Sequence, residues 1–452
     1  MVINFKYFFS HFNLKSYIYT VAFFMKFNKT QNAWAFYDWA NSVYPLIISS
    51  ATFPIYYGLI FPEDNQKINV FGMNIESTAL IFYVTALAFL FVSFLSPMLS
   101  GIADYVGNKK RFLQFFCYLG ALSCMGLFWF TAENVLFGIT CFFFGLIGFW
   151  GSLVFYNSYL PDIATIDQQD RLSARGFSMG YIGSVILLIA CLAFIIGKEG
   201  KEALFAMRLS FLATGIWWLS FSQYAFYHLP KGRKTNQKLT KDVFFNGLKE
   251  LKKVQKELYY NYALFRYLTA FFVFSMAVQT VMLVATYFGE KEISWGSDSE
   301  KTMGLIISIL VIQLVAVLGA TLTSRASEKF GNIKTLVFIL FLWSLICVYA
   351  YFIQTPMEFY TTASFVGLVM GGVQALARST YSKMLPLTED TTSFFSFYEV
   401  TEKIGIVVGM ITYATILQVT GSMRLAIILV GIFFVTGFIL LRRVPKAKDY
   451  NL

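Results

Sequence analysis

Six ionisable side chains, Asp38, Arg266, Arg378, Glu399, Glu402 and Lys403, fall inside stretches of sequence otherwise apolar enough to cross a bilayer. A charge at the centre of a membrane helix costs about 2.5–3.5 kcal/mol on insertion scales, so each of these groups needs a partner or a task. Three are acids and three are bases, which allows mutual neutralisation. Each lies about four to nine residues from one end of its segment, and at ~1.5 Å per residue that makes one layer ~6–13 Å deep. Glu399 and Glu402 share a helix face, and Lys403 can pair with Glu399 at i,i+4.

Two chemistries fit this layer. In one, Asp38, Arg378 and Glu399 line a central cavity and bind a zwitterionic solute or carry a proton. In the other, ion pairs among the buried charges form an inner gate, the reading that the common depth favours for Arg266, Glu402 and Lys403. Tyr37, Asn41 and Gln374 lie close enough in sequence to supply polar contacts to a solute, with Gln279 as a further contact near mid-membrane. Gln313 reads instead as a helix–helix hydrogen bond.

Enzyme chemistry finds no support. The two histidines, His11 and His228, make no dyad, no apolar segment pairs a Ser or Cys with a His at helical spacing, and the five cysteines lack metal-type spacing. No catalytic residue, metal or cofactor is expected. With no Gly-rich phosphate loop, an ion gradient rather than ATP would supply energy.

The elements that must position these residues follow from composition. The apolar share is 57% and the charged share 13%, against roughly 45–50% and 25% in soluble domains. Twelve segments can span a bilayer, near 33–61, 78–100, 111–131, 135–157, 176–196, 204–228, 262–288, 302–323, 334–353, 359–385, 394–418 and 422–441. Their apolar runs are continuous rather than alternating, which predicts an all-α membrane protein and excludes a barrel. Pro45 and Pro54 predict a kink or tilt in the first span.

The net charge of +11 is unevenly placed. Lys67, Lys198, Lys201, Lys291 and Lys301 lie in loops of one side, whereas most of the 36 Lys and Arg lie on the other. That bias predicts cytoplasmic termini in a multi-pass cell-membrane protein, and argues against nucleic-acid binding. Segment 230–261 is basic, and Phe244, Leu248, Leu251, Val254 and Leu258 recur at helical spacing opposite Lys249, Lys252, Lys253 and Lys256. It reads as an amphipathic helix on the inner leaflet. The expected units are a cytoplasmic segment 1–30, a six-helix bundle 31–229, this linker 230–261, a second bundle 262–443 and a tail 444–452. Residues 1–24, aromatic and without a signal-peptide cleavage site, suggest a start codon assigned upstream of Met25.

The two bundles echo each other. Ala103-Asp104-Tyr105-Val106-Gly107-Asn108-Lys109-Lys110 recurs as Ser327-Glu328-Lys329-Phe330-Gly331-Asn332-Ile333-Lys334, each between two spans. A duplicated six-span unit is how many secondary transporters are built. Gly107 permits a tight reversal, and Asp104 can accept from backbone N–H groups at a neighbouring helix start.

Twelve spans with this duplicated loop resemble the major facilitator superfamily. Its signature between spans two and three matches at Asp104, Gly107, Lys109, Lys110 and Arg111, and departs at Ser100, Tyr105 and Asn108. The resemblance implies two pseudo-symmetric six-helix bundles and makes Asp104 and Glu328, with Gly331 and Lys334, conformational latch residues.

A narrower resemblance rests on Tyr37-Asp38-Trp39-Ala40-Asn41, Phe155-Tyr156-Asn157-Ser158-Tyr159-Leu160-Pro161, the run Arg175 to Gly183, the run Gly371 to Ser379, and Phe394 to Glu399. These are similar to the vacuole-effluxer-like branch, which includes fungal vacuolar amino-acid effluxers. Where that branch carries Tyr-Asn-Asp-Gly in span seven, this chain has Phe274-Ser275-Met276-Ala277, and an acid is missing. The resemblance implies a proton-coupled transporter of a small solute, amino acids first, acting as a monomer in the bilayer, in the vacuolar membrane if fungal. A non-transporting receptor or scaffold is the alternative, for which a large soluble appendage is expected.

Overall fold

The computed structural model describes residues 27–61, 67–70, 72–232 and 243–445. The expectations for residues 1–24 and for the tail beyond 445 lie outside the described residues. All twelve expected spans are present as helices long and apolar enough to cross a membrane, from Lys29–Ile60 to Met423–Arg442. The fold is two six-helix bundles related by pseudo-symmetry.

That symmetry is visible in which spans touch. Within the first bundle span one packs on five and six, three on four and six, and two on four; within the second, seven packs on eleven and twelve, nine on ten and twelve, and eight on ten. Between bundles the contacts also come in pairs: two on eleven is matched by eight on five, and four on eleven by ten on five. One hydrophobic core runs from Trp34 to Leu229 and a second from Val254 to Val444, with Tyr181 of span five joining the latter. Close approach depends on small residues. A Cβ on Gly319, Gly367 or Gly371 would sit within 2.0–2.5 Å of backbone oxygens where spans eight and ten cross.

Span one is interrupted: an α-helix Lys29–Asn41, a π-helical stretch Tyr44–Thr52 containing Pro45, and a second α-helix Phe53–Ile60. The expected distortion is thus a local widening where proline cannot donate. Spans one and two are joined by an antiparallel pair, Lys67–Val70 with Met73–Glu76, that hydropathy did not foretell.

Three spans run further than their apolar stretches. Span two continues to Val106, span five begins at Gln169 and span eight reaches Phe330. The repeated motif is therefore mostly helix. In the first copy only Gly107, left-handed at φ 67, and Asn108 separate span two from span three, which starts at Lys109.

The linker helix Val243–Tyr260 forms as expected, but its setting differs. Val254 and Leu258 are buried in the second core, and the helix lies against spans two and eleven. Its apolar face is spent partly on protein rather than on lipid alone, while Lys252 and Lys256 stay exposed. Lys253 Nζ bonds Asp390 Oδ2 at 2.8 Å. Lys249 is exposed too, and the side chains of Phe244, Leu248 and Leu251 are outside the described residues.

Candidate functional site

Five of the six intramembrane charges meet in one buried chain of polar contacts that crosses repeatedly between the bundles. Asp38 Oδ2, on span one, accepts from Tyr156 Oη of span four at 2.7 Å and lies 3.4 Å from both terminal nitrogens of Arg378 on span ten. Arg378 Nε donates to Ser173 Oγ, its Nη2 to the Ser173 carbonyl, both at 2.9 Å on span five, and its Nη1 to Asn157 Oδ1 at 3.2 Å. The guanidinium also stacks over Phe177 at 4.2 Å and Trp34 at 4.7 Å. Asn157 Nδ2 donates to Glu399 Oε1 of span eleven at 2.7 Å. Glu399 pairs with Lys403, which also bonds Glu402 Oε2 at 3.0 Å and lies 3.9 Å from the Trp150 ring of span four. Gln279 Nε2 of span seven closes the chain on Glu402 Oε1 at 2.9 Å.

Every donor of Arg378 is directed to the first bundle, and Asn157 bridges two residues of the second. Taking such charges from water costs several kcal/mol per ion, which only close, well-bonded partners offset. The partners stay close only while the bundles stay together.

Two further sets of contacts clasp the bundles at the end bearing the repeated motifs. Asp104, in the last turn of span two, accepts from Thr392 N at 3.3 Å and Ser393 N at 2.7 Å, so it caps the start of span eleven. Lys109 joins Ser158 O at 2.9 Å, Thr391 Oγ1 at 3.1 Å and the Asp162 carboxylate. The second copy inverts the logic. Its clasping acid comes from the opposite bundle: Asp170, at the start of span five, accepts from Ser327 Oγ and Asn332 Nδ2 at 2.8 Å and pairs with Lys383 at 2.6 Å. Glu328 pairs with Arg171 beside it. Deeper down, Ala174, Ala320 and Ala375 of spans five, eight and ten close against one another.

An N-terminal cap is worth ~0.5–2 kcal/mol, so Asp104→Ala should open this end more often. A membrane-impermeant maleimide should then label Ala174→Cys roughly 5–30-fold faster in the Asp104→Ala background, the factor that ~1–2 kcal/mol gives. An unchanged labelling rate would remove Asp104 from the clasp.

Other expected residues fall elsewhere. Arg266 is not part of the buried chain: it stacks on Tyr262 at 4.1 Å and donates to the Arg443 carbonyl at 2.8 Å, at the end of the second bundle. Its depth in sequence was right for a gate, but its direction around the helix was not. Tyr37 turns into the first bundle, between Tyr156 and Phe226. Asn41 is buried and, among the described residues, accepts from Ser42 Oγ at 3.4 Å. Gln374 does bridge the bundles, accepting from Tyr181 Oη at 2.6 Å. Lys110 donates to the Leu229 carbonyl at 2.9 Å, and Arg111 and Lys334 are exposed. Gln313 keeps Oε1 unpaired. Arg424, at the opposite end, binds Glu292 at 2.7 Å. Among the described residues no group of His, Cys, Asp or Glu could hold a metal.

Sequence reasoning passed over Tyr156, Asn157, Ser173, Asp170, Arg171 and Lys383. Tyr156 and Asn157 stood in a run already singled out for its resemblance; nothing in spacing pointed to the pairing of Asp170 with Lys383.

The family profile described as "Vacuole effluxer Atg22 like" matches residues 27–451. An uncharacterized MFS-type transporter of Bacillus subtilis, YxiO, is 32% identical over 436 residues, covering 94% of this chain and 97% of that one. Autophagy-related protein 22 of Coccidioides immitis is 24% identical, over 80% of this chain and 72% of its own length. Among solved structures, the transporter FucP in its outward conformation superimposes with a TM-score of 0.68 at 14% identity, covering 96% of this chain and all of that one. The human organic anion transporter MFSD10 gives 0.68 at 11% identity, covering 91% and 99%. These likenesses carry the fold alone.

Proposed function

We propose, from the premise that this chain belongs to the Atg22-like family of major facilitator transporters, that it is a proton-coupled secondary transporter of amino acids. It would work by alternating access, with the end bearing the repeated motifs facing the cytoplasm, as its positive residues favour. The observation that carries this reading is the buried chain Asp38–Arg378–Asn157–Glu399–Lys403–Glu402, whose links pass from bundle to bundle.

A static core has no use for such an arrangement, because buried ion pairs are a poor source of stability compared with apolar packing. As a switch it is apt. Rocking the bundles apart breaks Asp38 from Arg378 and Asn157 from Glu399, and the exposed charges then need new partners. A zwitterion supplies a carboxylate for Arg378 and an ammonium for an acid. The chain also holds three acids against two bases, so one negative charge is left for a proton to neutralise. The family's printed description, an effluxer, supports export as the direction.

Asp38→Asn removes the carboxylate that a proton would occupy while keeping the shape. In proteoliposomes with an imposed pH gradient, it should abolish gradient-driven amino-acid accumulation and leave substrate exchange intact. Loss of neither process would refute proton coupling through Asp38. Lys403 supports a second role for its end of the chain. It is held by two acids on its own helix and covered by Trp150 of the other bundle, the geometry of an inner gate rather than of a solute site.

A further inference from the structure

Arg175, at the start of the apolar stretch of span five, also takes no part in the buried chain: Gly176 next to it faces Asp38, so the arginine is turned to a different side. Its Nε is buried without a hydrogen-bond partner among the described residues, and its guanidinium rests 5.1 Å from the Phe27 ring. No acid among the described residues forms an ion pair with it. It lines a cavity of about 370 Å³ with Asn32 and Phe36 of span one, Met179 of span five and Tyr224 of span six. That volume lies low in the ~300–1,000 Å³ range of small-ligand sites. Asn32 also offers a group there: its Nδ2 donates to the Phe27 carbonyl at 2.9 Å, while its Oδ1 has no partner among the described residues.

From this crevice of spans one, five and six we infer that the protein binds one anionic phospholipid with a hydroxyl-bearing headgroup, of the phosphatidylglycerol kind. Three arguments converge. The first is depth. Span five begins at Gln169, but its apolar stretch begins only at 176, so Arg175 stands at the edge of the hydrocarbon core, within reach of lipid phosphates by snorkelling. The second is charge and hydrogen bonding. A guanidinium takes a phosphate through two parallel N–H donors, and the unpaired Asn32 Oδ1 takes a headgroup hydroxyl. The third is the wall. Phe36, Met179 and the half-exposed Tyr224 offer apolar surface to the glycerol and upper acyl carbons, as aromatic residues do at membrane interfaces. Because the crevice lies between spans one, five and six of a single bundle, this lipid would stay bound while the bundles rock.

The test is native mass spectrometry of the purified full-length chain in detergent, with equimolar phosphatidylglycerol and phosphatidylcholine. The wild type should retain one phosphatidylglycerol about ten-fold over phosphatidylcholine, the ratio that ~1.4 kcal/mol gives. Arg175→Gln should bring the ratio close to one, and Met179→Trp, which fills the cavity without touching the charge, should displace the lipid and serves if Arg175→Gln fails to fold. Inorganic phosphate should not compete. Equal retention of both lipids by the wild type, a preference that survives both substitutions, or displacement by inorganic phosphate would overturn the inference. None of these readouts involves transport, so the result stands apart from the proposed activity.

Discussion

Replacing Arg378 with Ala is expected to abolish transport and to destabilise the protein by ~3–5 kcal/mol, the range for removing one partner of a buried ion pair. Arg378 is 3% exposed, pairs with Asp38 and donates to Ser173 and Asn157. Without it, Asp38 keeps only the Tyr156 hydroxyl among the described residues, and Asn157 loses its bridge. Arg378→Lys should rescue little, because one ammonium cannot reach three partners laid out for a planar fork. The double variant Asp38→Asn/Arg378→Gln should regain much of the lost stability, since no lone charge is left, yet remain uncoupled. Thermal unfolding and proteoliposome transport, measured side by side, separate the two effects. Wild-type transport by Arg378→Ala would mean that the pair is ornamental to the cycle.

The second large effect should come from a residue with no side chain. A Cβ on Gly176 would lie 2.4 Å from Asp38 Oδ2, 3.1 Å from Arg378 Nη2 and 3.2 Å from the Tyr156 hydroxyl. One turn on, a Cβ on Gly180 would lie 2.3 Å from Ser42 Oγ, so this face of span five is shaped to admit span one. Gly176→Ala therefore wedges the ion pair open, at the ~1–3 kcal/mol typical of overpacking, and transport should fall by roughly 5–200-fold, at ~1.36 kcal/mol per decade. Gly176→Leu should prevent the two spans from docking at all and lower the yield of folded protein. Gly58, whose Cβ would meet nothing within 4 Å, is the matched control, and Gly58→Ala should be silent. Equal behaviour of Gly176→Ala and Gly58→Ala would show that span five does not brace the pair.

Span number and the grouping of Asp38, Arg378, Glu399, Glu402 and Lys403 were legible in the sequence, because intramembrane charges are rare enough that each carries information. Arg266 shows where that signal stops. Hydropathy gives depth, but the direction a residue takes around its helix depends on packing, and span seven turns Arg266 toward Arg443. Tyr37, the residue before Asp38, likewise turns into the first bundle between Tyr156 and Phe226, whereas Asn41, three residues on, shares the face of Asp38 and is buried. The neutral members Asn157 and Ser173 were hidden because uncharged polar residues are common in membrane helices.

The clasp was half legible. Asp104 caps a helix start as its glycine-bounded turn implied, whereas the second clasp takes its acid from Asp170, for which Glu328 had been the expected counterpart. The duplicated motif diverges in its side-chain contacts while its backbone symmetry persists. The paired span contacts show that persistence, and no single window of sequence could have displayed it.

Alternating access, as proposed, requires the two bundles to pass between clasped and parted at the end carrying these motifs. Spin labels at Ile166, in the first bundle, and Lys329, in the second, are both on exposed positions flanking the Arg171–Glu328 pair. Pulsed dipolar spectroscopy between them in lipid nanodiscs should resolve a short and a long distance, with the long one enriched by Asp104→Ala. One unchanging distance in the wild type, in Asp104→Ala and in the presence of amino acids would contradict the account.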